Sequence, residues 1–239
     1  MVNPFEISSV VGAIGALGLA SFALVDATKV GRKGGVSNSG FIFIERAVQQ
    51  LLPDEQLSEE SESDKPRTLL DIVHGNWIAG QALADQKAIA KSLIKLRLSE
   101  KNAKKFAAAT EVDEVVLGQV AAKMKKGDDL TSSEANALGR FDLALTALLD
   151  EGYQRADQRY RNATRVIASI ISIVLAVFGG WAVTTGDGAT AMSASQYFFR
   201  QPMWMAFFCG LLATPLAPIS KDLASALQAG VKVAQSLKK

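Results

Sequence analysis

The chain has 239 residues, of which 49% are apolar and 21% charged, so it can hold one or two domains and combines membrane-type segments with a charge-rich part. Its net charge of +2 is too small to indicate nucleic-acid binding on its own. A single cysteine, Cys209, excludes an intrachain disulfide and a cysteine-based zinc site. A single histidine, His74, excludes most histidine-based metal sites and catalytic triads.

The first apolar segment, Val10–Val25, is rich in glycine and alanine. Its length is near the lower limit of the about 17–25 residues that cross a bilayer. No Lys or Arg precedes it and several follow, which predicts an uncleaved helix with its N-terminus outside the cytoplasm. Gly12, Gly15 and Gly18 give it a smooth face on which another helix could pack. The alternative is a short helix buried in protein.

Helical patterns alternate with polar segments as far as residue 126. We expect a turn region at 31–40, an amphipathic helix at 41–52, an acidic linker at 54–65, one helical pattern over 67–98 and a helix at 110–126. The apolar face of the 67–98 pattern is predicted to consist of Ile78, Ala82, Ile89, Leu93 and Leu96. Thr110 and Asp113 suit the start of the next helix, and Gly127 suits its C-cap.

Two features of this region suggest a function. The basic stretch Lys87–Lys105 could contact nucleic acid or anionic lipid, but it has no aromatic residue until Phe106, so a solvated helix face is favoured. Three of its lysines, Lys87, Lys91 and Lys95, are four residues apart. His74 has no second histidine, cysteine or paired carboxylate beside it in sequence, so a turn or packing role is favoured over catalysis.

Beyond Gly127 the pattern predicts one long helix over 132–183. Thr131 and Glu134 have the spacing of a capping box, and no proline follows until Pro202. The apolar end of this helix, Val166–Val183, follows a cluster of arginines and predicts a second membrane span.

A heptad seam leads into this span. Its members are spaced alternately four and three residues apart: Leu149, Tyr153, Ala156, Tyr160, Ala163, Ile167 and Ile170. The seam could pack, like a coiled coil, on a second copy or on the chain's own helices. Intramolecular packing is favoured because the soluble helices need a partner.

A third span is predicted at Met203–Ile219, after a polar loop at 184–201. Pro215 and Pro218 lie near its end, and a helix stop there is favoured over a hinge or gate. Residues 220–239 have a weak apolar face with lysines beside it, which is typical of an interfacial helix.

The distribution of Lys and Arg predicts the topology. Basic residues follow the first span, precede the second and follow the third, whereas only Arg200 lies between the second and third. The positive-inside rule therefore predicts an all-α integral membrane protein with three transmembrane helices. Its parts are a first transmembrane helix in 1–28, a cytoplasmic helical domain in 29–165, a transmembrane hairpin in 166–219 and a cytoplasmic amphipathic helix in 220–239.

A family resemblance covers about the last hundred residues. The residues that carry it are Phe141-Asp142, Tyr153, Arg155, Tyr160, Arg161, Ala217-Pro218 and Asp222. With them the chain resembles uncharacterised membrane proteins of bacteria. The resemblance implies the bacterial inner membrane as the location and no particular activity.

These patterns predict a non-enzymatic scaffold or assembly subunit that associates with copies of itself or with a larger membrane complex. The lipid bilayer is an expected partner, whereas nucleic acid, a small-molecule substrate, a cofactor and a metal are not expected. The alternative is a homo-oligomeric channel or membrane-disrupting effector gated by the cytoplasmic domain. Its pore would be lined by Ser169, Ser172, Gly179, Gly180 or Thr214. An enzyme acting through His74 is the least favoured hypothesis.

Overall fold

The computed structural model describes residues 4–30, 32–51, 68–186 and 193–236, and every regular element in these ranges is helical. The α-helices are α1 (Pro4–Ala27), α2 (Asn38–Gln49), α3 (Leu69–Ile78), α4 (Leu83–Leu96), α5 (Ala103–Thr110), α6 (Glu114–Lys126), α7 (Ser132–Gly186), α8 (Ala194–Phe198) and α9 (Gln201–Ser236). The predicted all-α fold is confirmed. The acidic linker 54–65 lies outside the described residues.

The chain divides into two compact units. The span unit consists of Met1–Arg32 and Arg161–Lys239, and the bundle unit consists of Lys33–Tyr160. Three helices are long and apolar enough to cross a membrane, in the segments Ser9–Ala27, Ser132–Thr185 and Gln201–Ile219. In the second of these, the apolar part is the predicted span at 166–183.

The bundle unit is built around an apolar core to which α2 to α7 all contribute. Ile44 and Val48 of α2, Leu117 of α6 and Leu145 of α7 are at most 1% exposed. Burying an apolar side chain of this size contributes about 1.5–3 kcal/mol, so the packed face of each helix holds it in the bundle.

The region predicted as one helical pattern over 67–98 is two helices, α3 and α4. Gly80 adopts a left-handed backbone, with φ of +69°, in the turn between them. Of the predicted apolar face, Ile78 and Leu93 pack against the core, whereas Ala82 is exposed. Residues Gln86, Ala90 and Ile94 form the buried face of α4, whereas Leu96 is 81% exposed.

Two helix starts also differ from prediction. Helix α2 begins at Asn38, inside the predicted turn region. Helix α6 begins at Glu114, because the Asp113 carboxylate accepts the N–H of Val116 at 2.9 Å and forms the N-cap. Thr110 instead ends the preceding helix α5, which was not predicted. The predicted C-cap at Gly127 is confirmed by its φ of +79°.

The long helix is confirmed, but the predicted helix end at the two prolines is not. Helix α7 runs from Ser132 to Gly186, three residues past the predicted end. Helix α9 continues through Pro215 and Pro218 to Ser236. Proline is tolerated inside apolar helices of this kind because neighbouring helices and hydroxyl side chains help to satisfy the polar groups around it.

Candidate interaction surfaces

Helix α1 packs on α9 through its small residues. Gly18 lies opposite Ala213 and Ala217 of α9, which are at most 1% exposed. Gly15, three residues before it, is also buried. A Cβ atom on Gly18 would lie 2.6 Å from the carbonyl carbon of Ala213 and nearer still to its oxygen. Gly12 differs, since a Cβ atom there would meet nothing within 4 Å. Of the three predicted packing glycines, Gly18 therefore lies on this contact and Gly15 is buried.

The other side of α1 carries a second row of small residues, which we call the alanine face. All its members are exposed and are spaced alternately three and four residues apart: Ala13, Ala16, Ala20, Ala23 and Ala27. This spacing keeps them on one stripe of the helix, as in a coiled-coil seam. Small side chains in such a stripe let two helix backbones approach closely.

Helices α7 and α9 are joined by hydroxyl groups. The Ser172 hydroxyl donates to the carbonyl of Gly210 at 2.7 Å, and the Ser169 hydroxyl donates to Thr214 Oγ1 at 3.1 Å. Ser172 is fully buried and Thr214 is 8% exposed. A Cβ atom on Gly210 would lie 2.5 Å from the Cα of Ile173. The hydroxyls predicted to line a pore are thus used in a contact between helices of one chain.

The predicted hinge prolines lie on the outer side of α9. Both Pro215 and Pro218 are exposed. The residues of α9 that face α1 and α7 in this segment are buried: Ala213, Thr214 and Ala217. Proline at 215 removes the N–H that would reach the carbonyl of residue 211, and proline at 218 removes the one for residue 214. The prolines therefore weaken the backbone of α9 without occupying its contacts with α1 and α7.

The N-terminal part of the heptad seam, from Leu149 to Tyr160, packs inside the bundle unit. Leu149, Tyr153 and Ala156 are at most 1% exposed, and the half-buried Tyr160 packs edge-on against Trp77 with ring centroids 6.2 Å apart. The Tyr153 hydroxyl donates to the carbonyl of Gln86 at 3.5 Å, and burial raises the pKa of this phenol. The seam is intramolecular here, as the sequence favoured.

Toward the apolar end of α7 the seam loses its cover. Ala163 and Ile167 are half-buried, and Ile170 is 56% exposed. The buried residues in this part of the helix are Ala168 and Ser172, which are off the predicted seam. The heptad spacing therefore does not continue as a packed stripe into the span unit.

Two glycines that the sequence analysis did not identify set the contact between α2 and α7. A Cβ atom on Gly40 would lie 2.5 Å from the carbonyl oxygen of Ala156, and one on Gly152 would lie 2.8 Å from the Cβ of Ala47. Gly152 and Ala156 are four residues apart, which is the small-residue spacing of close helix contacts. That spacing is the signal that would have revealed this crossing.

The lysine stripe of α4 faces aspartates of α7. Lys87 binds Asp150 at 2.5 Å, and Lys91 and Lys95 bind the two oxygens of Asp142 at 2.6 and 2.9 Å. The hydrogen bonds from Lys91 and then Lys95 lower the pKa of Asp142. The charges of this stripe are therefore largely compensated within the bundle unit, which leaves little of it for nucleic acid or lipid.

The capping box of α7 also links it to α6. Glu134 Oε2 accepts the Thr131 N–H at 2.7 Å and the Lys123 ammonium at 2.7 Å, with the Glu134 side chain 7% exposed. The hydrogen bonds from Lys123 and Thr131 lower the pKa of Glu134 to about 2. The start of the long helix is fixed by a carboxylate that stays ionised to low pH.

His74 lies in helix packing. Its ring stacks at a tilt on Phe41, with centroids 4.4 Å apart, and its Nε2 is buried without a hydrogen-bond partner in the structure. Among the described residues no group of three His, Cys, Asp or Glu side chains is placed to hold a metal ion. Within the described residues His74 therefore has the surroundings of a packed side chain, with an aromatic ring against it.

One open cleft of the bundle unit combines basic and apolar side chains. It lies between the end of α4, the segment after it and the second half of α6, and has a volume of about 880 Å³. Lys95, Arg97, Lys101 and Lys125 line it with Leu96 and Met124. We call it the basic cleft.

Two of the residues that carry the C-terminal resemblance, Asp142 and Tyr153, have local packing roles within the bundle unit. Their positions in the fold add no support to the resemblance. In comparisons with known proteins, no protein-family model, no curated protein and no solved structure matches this chain.

Proposed function

We propose that the protein is a non-enzymatic, membrane-anchored scaffold that associates with copies of itself, alone or within a larger membrane complex. The observation that carries this proposal is the alanine face of α1. Its five alanines are exposed, whereas the opposite face of the same helix is already packed on α9. In a bilayer, close van der Waals packing between small residues is a main source of helix association.

The alanine face suits contact with an identical face. Two copies related by a two-fold axis would place the same stripe of each α1 together, which is the commonest symmetry of homodimers. Each span would keep its intramolecular partner α9, because that contact uses Gly18 on the other side. Association therefore requires no rearrangement within the span unit.

The expected location is the bacterial inner membrane, with residues 29–165 and 220–239 in the cytoplasm. The charge asymmetry between the two sides of the spans supports this orientation. Single cysteines at Gln158 and Gln201, each in a Cys209→Ser background, test it. A membrane-impermeant maleimide should label only the Gln201 position in intact cells, and labelling of Gln158 alone would reverse the orientation.

Native mass spectrometry in nanodiscs tests self-association. The wild type should give dimers or larger species, and Ala16→Phe with Ala20→Phe should give monomers. Leu212→Phe, which places the same aromatic side chain at a half-exposed position of α9, is the control and should leave the oligomer intact. A wild type that stays monomeric across the micromolar range would refute the proposal.

For the channel alternative, no exposed surface comparable to the alanine face is found among the described residues. Ser172 and Thr214, two of the five candidate pore residues, have their hydroxyls engaged between α7 and α9. A flux assay in liposomes remains its direct test, and ion conduction by the wild type would favour the channel over the scaffold.

A further inference from the structure

We propose that the basic cleft of the bundle unit binds anionic lipid headgroups at a membrane surface, with Leu96 and Met124 entering the edge of the acyl region. This inference is independent of self-association through α1. It starts from the exposure of two apolar side chains: Leu96 is 81% exposed and Met124 is 47% exposed. Both stand in the same cleft, 28 positions apart in sequence, on α4 and α6.

The cations around these two side chains are only partly compensated by the residues that the structure describes. Lys95 binds Asp142, and one carboxylate, Glu100, also lines the cleft. Lys101 and Lys125 are exposed and form no ion pair with another described residue. Lys101 and Lys125 therefore give the cleft a positive rim for an anion, whereas Lys95, the last lysine of the stripe, is held by Asp142.

Surfaces that lie in a membrane interface combine exposed apolar side chains with lysines beside them. The apolar groups enter the boundary between headgroups and acyl chains, and each basic residue close to an anionic leaflet contributes about 1 kcal/mol. Long lysine side chains can extend to phosphate groups while their methylene stems cover apolar surface. Leu96 and Met124 supply the first contribution and Lys101 and Lys125 the second.

A lipid surface is favoured over an acidic protein because the chain carries its own bilayer anchor. Three of its helices are able to span a membrane, so the bundle unit is tethered to a bilayer by its own chain. Tethering raises the effective concentration of the surface without a new contact, and a weak electrostatic site is then sufficient. A soluble acidic partner would have to supply that concentration itself.

Fluorescence of the full-length protein in nanodiscs tests the proposal. An environment-sensitive dye is attached at Ser92→Cys, in a Cys209→Ser background, because Ser92 lines the cleft and leaves Leu96 in place. The same dye at Ala147→Cys, an exposed position of α7, is the control. We expect a blue shift at position 92 that grows with the fraction of anionic lipid, is absent in purely zwitterionic nanodiscs and is reversed by high salt.

Variants separate the two contributions. Lys101→Gln and Lys125→Gln should each weaken the response by about fivefold, which is about 1 kcal/mol per charge. Leu96→Ser should reduce the blue shift while the salt dependence remains. A shift equal in zwitterionic and anionic nanodiscs, or no shift in either, overturns the proposal. So does a shift produced in zwitterionic nanodiscs by a soluble peptide with the acidic sequence of residues 54–65, since the cleft would then recognise protein.

Discussion

Substitution of Gly18 by alanine tests the packing of α1 on α9 most directly. The added Cβ atom would lie 2.6 Å from the carbonyl carbon of Ala213, and 3.1 Å from the Cβ of Ala217. Two carbon atoms are at optimal separation at about 3.5–4.0 Å, so the helices must part by about 1 Å. The obstacle is backbone, which cannot rotate away as the end of a flexible side chain could.

The expected cost follows from two opposing terms. Forcing an extra methyl group into a packed contact costs about 1–3 kcal/mol. Replacing glycine by alanine inside a helix gains up to about 1 kcal/mol from helix propensity. Gly12→Ala and Gly179→Ala supply that gain alone, because neither new Cβ atom meets anything within 4 Å. We therefore expect Gly18→Ala to be about 1–3 kcal/mol less stable than either control.

Reversible unfolding of the full-length protein in mixed micelles, with increasing denaturing detergent, measures the difference. The controls should unfold at the same or a higher detergent fraction than the wild type, and Gly18→Ala at a lower one. Helix content before unfolding must match among the four proteins. If Gly18→Ala is as stable as Gly12→Ala, the close contact between α1 and α9 is wrong.

Substitutions at three further residues, Asp142, Glu134 and Tyr153, test the bundle unit. Each is measured by chemical denaturation of the full-length protein in detergent. Asp142→Asn removes the acceptor of two lysines and should cost about 1 kcal/mol, the range for partly exposed ion pairs, whereas Asp129→Asn at an exposed loop position should cost nothing measurable. The low pKa of Glu134 stabilises the fold fully above its ordinary pKa of 4.5, and this stabilisation is lost as pH falls toward 2. Glu134→Gln should flatten the pH dependence of stability between 4.5 and 2, and an unchanged profile would contradict the role of Glu134. Tyr153→Ala should cost about 3–5 kcal/mol, as for other buried aromatic residues, while Tyr153→Phe should cost under about 1 kcal/mol because its hydrogen bond is long. Equal losses for the two Tyr153 variants would mean that the hydroxyl, not the ring, is what the core needs.

Local signals predicted the parts of the fold that local chemistry determines. The capping box at Thr131 and Glu134 and the left-handed cap at Gly127 depend on a few neighbouring residues, so the sequence was sufficient for them. Gly80 is also a local signal, and it marks the division of the 67–98 pattern into two helices. Ile89, Leu93 and Leu96 all follow Gly80 at helical spacing, so the exposure of Leu96 depends on which residues of α4 meet the other helices, not on this turn.

The remaining contacts depend on which helices meet, and a single pattern along the chain does not contain that information. The lysine stripe of α4 was visible as a repeat of four, but its partners Asp142 and Asp150 lie on another helix eight positions apart. That spacing matches two turns of helix, so the complementarity could have been noticed once α4 and α7 were assumed to be antiparallel. The same holds for Gly152 and Ala156, whose meaning depends on the approach of α2.

Helix α9 explains why a helix with two prolines can remain continuous. One face presents Ala213 and Ala217 to α1, and the adjacent face presents Gly210 and Thr214 to α7. Both faces use small residues four apart, so the neighbouring helices hold the backbone closely on two sides. The proline rings lie outside these faces, so they leave the side-chain contacts with α1 and α7 in place although each removes a backbone hydrogen bond. The sequence rule that proline ends a helix assumes an unsupported helix, and α9 is supported along the segment where the rule was applied.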